Sequence, residues 1–145
     1  MVRLLSTNVK QTIMARLEPG EDILNIVESI VRDLGINGGH LTCIGAVSSA
    51  TLGYFDRKAQ VYRSFTIDED LEVVSCMGNI TRLGNGDPVV HAHMIVADDA
   101  GKCYGGHLMP GCEVSVTIEV VIDVFEGEVL RAKDELTGLN LLDLK

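Results

Sequence analysis

From residue 41 onward the chain is a succession of short apolar stretches, rich in β-branched residues and interrupted by turn residues, and this constrains the fold most. Segments 41–48, 51–56, 60–67, 71–80, 89–97, 102–108 and 113–125 each read as extended. Ahead of them lies one strand-like stretch, 12–17, and one helix. Pro19-Gly20-Glu21-Asp22 opens that helix with acids placed in its first turn, where they complement the dipole. Ile23, Ile26, Val27, Ile30 and Leu34 recur at helical spacing and predict a core-facing stripe that Gly35 ends. Residues 130–144 predict a closing strand or helical turn whose leucines pack back on the sheet. The expectation is an α+β fold, a largely antiparallel sheet flanked by helical structure, in one domain over 1–145.

Three of the four histidines fall where such a sheet brings side chains together. His91 and His93, two apart in a strand, share a face. Asp98-Asp99-Ala100-Gly101-Lys102 suits a three-residue hairpin loop with Gly101 as the left-handed residue of a bulge. If Asp98 pairs with Lys102, His93 lies opposite His107 and all three rings leave one face of two neighbouring strands. A loop one residue longer or shorter would turn His107 to the other face. Three imidazoles with an open fourth position form the pattern of a ligand-accessible zinc, since structural zinc is closed by four protein ligands. Nickel, cobalt or iron would accept the same donors. The competing reading is a polar cleft in which the histidines bond one another, carboxylates or water.

Composition narrows the function classes. Apolar residues make up 46% of 145, enough for a core. No apolar run reaches the length of a membrane span, and the expectation is a cytoplasmic protein with no membrane partner. Cys43, Cys76, Cys103 and Cys112 form no CxxC pair and predict buried free thiols, although Cys103 and Cys112 flank His107 closely enough to offer a sulfur ligand. A net charge of −9 repels phosphate backbones, and the bases form no run, so direct DNA binding is not expected.

Other residues invite smaller roles. His40 reads as a surface or capping histidine. Gly105 and Gly106 either line a pocket beside His107 or mark a bulge. Gly84-Asn85-Gly86-Asp87 lacks the lysine and helix of a phosphate loop and predicts a turn. Glu119, in an apolar strand, wants a partner: Arg16 in an ion pair, a histidine it would orient, or a proton it would accept. Asp98 is a second candidate proton acceptor. A cupin would place a carboxylate after HxH where Asp98 stands, but its usual residue there is glutamate and the turn has a better use for Asp98.

The chain resembles the plants-and-prokaryotes-conserved domain family in its stand-alone prokaryotic form. The resemblance is carried in order by Arg16-Leu17-Glu18-Pro19-Gly20-Glu21-Asp22-Ile23, Gly45-Ala46-Val47-Ser48-Ser49-Ala50 and Leu52-Gly53-Tyr54-Phe55-Asp56. Gly78-Asn79-Ile80, Pro88-Val89-Val90-His91-Ala92-His93, Gly105-Gly106-His107-Leu108, Gly111 and 114–120 continue it. It implies a homotrimer with sites near subunit interfaces, and a metal site at the histidines that correspond to His91, His93 and His107. Members are often described as DNA-binding because plant relatives carry an Arg-Gly-Arg-Pro minor-groove element, which this sequence lacks. The expected function is therefore metal-dependent chemistry on a small molecule. The alternatives are a DNA-associated regulator and a metal-stabilised assembly module without catalysis.

Overall fold

The computed structural model describes residues 2–144. β1 (Val9–Leu17) precedes α1 (Ile23–Asp33), and the strands β2 (Gly39–Asp56), β3 (Val61–Ile67), β4 (Leu71–Leu83), β5 (Pro88–Ala97), β6 (Cys103–Leu108), β7 (Glu113–Phe125), β8 (Leu130–Lys133) and β9 (Asn140–Leu142) follow. They form one sheet in the order β1-β7-β2-β6-β5-β4-β8-β9, with β3 beside β2. The β4–β8 pairing is parallel and the other strand pairings are antiparallel. The architecture is the expected α+β, but residues 41–48 and 51–56 belong to one long strand. β2 pairs β4 and β7 along its first half, then β3 and β6 along its second. Because β2 also meets β4, the path β2-β6-β5-β4 closes on itself.

α1 covers one face of this sheet with Ile23, Val27 and Val31 at most 1% exposed. Each contributes on the order of 1.5–3 kcal/mol of burial. Two local expectations are corrected. The acids lie before the first turn, and Asp22 acts as the N-cap, its carboxylate accepting from the Asn25 amide at 3.0 Å. Its second oxygen accepts from Gly111 and Cys112 amides at 2.7 and 3.1 Å, so one side chain ties the helix to the segment before β7. Leu34 is the C-cap and stands exposed rather than completing the stripe. Gly35 at φ 63° ends the helix as expected.

The C-terminal leucines also depart from expectation. Leu136, Leu141 and Leu142 are exposed, and the buried residue of that segment is Arg131, at 8% exposure. Of the cysteines, Cys43, Cys76 and Cys112 are buried and free, whereas Cys103 is exposed.

Candidate metal centre

The turn between β5 and β6 fixes the site. Asp98 and Lys102 close it through the Asp98 amide and the Lys102 carbonyl at 3.0 Å, and Gly101 takes φ 76°. His93 pairs with His107, Ile95 with Gly105 and Ala97 with Cys103, the register that the three-residue loop demands. Along β5, Val90, Ala92, Met94 and Val96 are buried in the core, so His91, His93 and Ile95 leave by the opposite face. Ring centroids lie 5.2 Å apart for His91–His93, 5.2 Å for His91–His107 and 5.6 Å for His93–His107. One nitrogen from each ring lies within 4.8 Å of the others. Among the described residues, no cysteine or carboxylate joins this group.

Neighbouring strands build walls around it. β2 sets Gly53 against His107 and Phe55 against Tyr62 of β3, which brings the Tyr62 ring 4.8 Å from His107. On the other side, β8 carries Arg131 beside β4. The guanidinium donates Nε to Thr81 Oγ1 at 2.9 Å, Nη1 to the Asn140 carbonyl at 2.8 Å and Nη2 to Asn79 Oδ1 at 2.8 Å. Nη2 also lies 3.2 Å from His91 Nδ1. A guanidinium only donates, so Nδ1 accepts and a neutral His91 keeps its proton on Nε2. An open cavity of about 250 Å³ lies between Tyr62, His91 and His107 on one side and Arg131, Leu139 and Leu141 on the other.

Burial and neighbouring positive charge disfavour protonation of His91 and His107. Burial, then the Arg131 guanidinium and the other two rings, push His91 down to about 4. His107 is lowered as well, by burial first and then by His93 and Arg131. His107 Nδ1 is buried and has no hydrogen-bond partner. An unpartnered ring nitrogen beside two further imidazoles suits a divalent cation, and the donor set fits zinc or a similar borderline ion. His91 joins such a set once Arg131 releases Nδ1, which leaves that nitrogen free to ligate, or free to take the proton so that Nε2 ligates.

The remaining candidates fall elsewhere. Asp98 serves the turn, its Oδ1 accepting from the Ala100 and Lys102 amides at 3.0 and 2.9 Å. Glu119 is exposed on β7, in register with Arg16 and Ile44 and away from the cavity lining. Arg16 pairs with Glu18 rather than with Glu119. A Cβ on Gly106 would sit 2.7 Å from the Gly53 carbonyl, so this glycine serves the close approach of β6 to β2, and neither it nor Gly105 lines the cavity. Gly84-Asn85-Gly86-Asp87 forms the β4–β5 turn, with Gly86 at φ 92°. His40 is exposed, as a surface histidine, near the start of β2. Arg131, Asn79 and Tyr62 carry no motif in the sequence that marks them as part of a site. Asn79 was signalled weakly by its register opposite His91 once β4 and β5 are paired.

A closed α+β sheet bearing three histidines on its uncovered face defines a recognisable class. Residues 5–126 match the Plants and Prokaryotes Conserved domain, and the chain belongs to that family. It is similar to a metal-containing protein from Archaeoglobus fulgidus, at 34% identity over 97% of this chain and 99% of that one, with a TM-score of 0.88. It is also similar to a plant- and prokaryote-conserved protein from Pyrococcus horikoshii, at 26% identity over 99% and 97% of the two chains, TM-score 0.87. A curated relative, the bifunctional protein GlmU of a Synechococcus strain, is 35% identical over 125 residues. That match takes in 85% of this chain but only 19% of the relative's length.

Proposed function

We propose that this protein holds a divalent metal, zinc by preference, on His91, His93 and His107, and uses it in chemistry on a small molecule. The convergence of one nitrogen from each ring within 4.8 Å carries the reading. The orphaned His107 Nδ1 and the metal content of the A. fulgidus relative support it. Such an ion would supply Lewis acidity toward a carbonyl or a water. The chain's own residues set the surroundings. Tyr62 lies against His107, Asn79 holds Arg131 in the far wall, and Leu139 and Leu141 line one side. Neither Glu119 nor Asp98 lines the cavity, so a proton moving there would pass through a histidine, Tyr62 or solvent.

The test is metal content. Untagged protein purified without chelators should carry about one zinc-group ion per chain by mass spectrometry, and His91→Ala and His107→Ala should each lose it. Metal-free wild type that fails to take up zinc would refute the reading.

One observation favours self-association as well. Val74, Met77, Ile95, Ile44 and Val116 are exposed apolar residues on the sheet. Met77 pairs with His93, which places apolar surface beside the metal site. A second copy of the chain fits such a surface, in keeping with a homotrimer whose sites lie near subunit interfaces. In this reading the metal stabilises the assembly, and stripping it lowers the melting temperature and the oligomer fraction together.

A further inference from the structure

Arg131 is buried to 8% exposure, yet its four hydrogen-bond partners are all neutral: a hydroxyl, an amide oxygen, a backbone carbonyl and an imidazole. The ion pairs among the described residues are Arg16–Glu18 and Arg63–Asp56, and neither involves Arg131. Among the described residues, no carboxylate lines the cavity it faces. In a chain with 21 acids and 12 bases, a buried cation left without a counter-charge is notable, because burying unpaired charge is costly. Four of the five guanidinium N–H groups are committed, which leaves one on Nη1.

A divalent ion on the histidines would add to this imbalance. Guanidinium and metal would then face one small cavity with no negative group among its walls.

We propose that the cavity binds a small organic monocarboxylate, whose charge is balanced by Arg131 and whose short apolar chain lies against Val89, Leu139 and Leu141. A single free guanidinium N–H and few other donors suit a carboxylate better than a phosphate, which would need several donors. The volume, about 250 Å³, holds roughly eight water-sized groups at about 30 Å³ each. The proposal rests on the metal reading for the location of the site and names the ligand class that reading leaves open. It also gives Arg131 a second consequence. A carboxylate that draws the guanidinium toward itself releases His91 Nδ1, so acid and metal strengthen each other's binding.

The experiment compares isobutyrate with isobutyramide, a neutral molecule of the same shape, on zinc-treated full-length protein by titration calorimetry. Metal content is measured on the same samples. Isobutyrate should bind about tenfold or more tightly than the amide, the difference one charge-assisted hydrogen bond supports. Zinc affinity should rise about fivefold or more when isobutyrate is present. Arg131→Met should abolish the preference for the acid. If that variant does not fold, the acid–amide comparison on the wild type still decides. Equal binding of acid and amide, or no binding of either, would overturn the proposal while leaving a measured metal stoichiometry intact. A chain that takes up no metal but separates acid from amide would sink the metal reading and keep this one. Inorganic phosphate binding more tightly than isobutyrate would overturn the carboxylate assignment.

Discussion

At the level of single residues, the histidines tie stability to pH. Folding holds His91 at about 4, through burial first and Arg131 second, and lowers His107. In the unfolded chain both titrate near about 6.5. As pH falls below about 6.5 the unfolded chain therefore binds more protons than the folded one. The stabilisation is complete above that value and is lost as pH falls toward His91's folded value. Metal-free protein should show a urea midpoint that declines from about pH 7 to about pH 4.5, and His91→Gln should flatten that decline. Identical profiles for the two proteins would show that His91 is not held neutral by the fold. Arg131 is the residue with the least warning in the letters. It sits among leucines near the C-terminus, where alternation marks it as a polar outward position. The tertiary pairing of β8 with β4 reverses that reading.

Individual elements divide into those whose local chemistry fixes them and those that depend on distant partners. The β5–β6 hairpin is of the first kind: Gly101 and the Asp98 carboxylate set the loop, and the loop sets which face His107 takes. The histidine face is therefore legible in the sequence of that hairpin alone. Asp98→Asn keeps an acceptor for the turn amides and should cost under about 1 kcal/mol in chemical denaturation, with metal content unchanged. Lost metal would mean that Asp98 does more than hold the turn. Asp22 is similar, since its carboxylate caps α1 and also receives the Gly111 and Cys112 amides. Asp22→Ala should cost about 1–2 kcal/mol or more, and Asp22→Asn appreciably less. A loss of only a few tenths of a kcal/mol would show that the two loop amides find other acceptors. The element that misled has a long-range cause. β2 is one strand rather than two because β4 and β7 take its first half while β3 and β6 take its second. Glu119 needs no buried partner because β7 turns it outward into solvent. The pairing of β2 is not encoded in nearby residues, whereas the outward turn of Glu119 follows its alternation with the buried Ile118 and Val120.

For the whole molecule, charge speaks against nucleic acid as a direct partner. With −9 spread over 145 residues, no shift of DNA fragments is expected near physiological salt. A clear shift there would mean that assembly gathers scattered arginines into a basic patch. No helix among the described residues is long and apolar enough to cross a membrane. The proposed self-association would use the uncovered sheet face, where Met77 and Ile95 stand exposed around the histidines. The cavity wall opposite that face is attached differently. β8 joins the sheet through just two parallel pairings, Arg82 with Leu130 and Leu83 with Arg131, and Arg131 supplies most of the side-chain links between them. The floor of the site is thus part of a closed sheet, while its side is a short hairpin held by Arg131 and, at its loop, by Gln60 donating to the Leu136 carbonyl. A molecule held between them would rest on a rigid floor and against a wall whose position depends on Arg131, so a change at Arg131 would reshape the site while leaving the closed sheet intact.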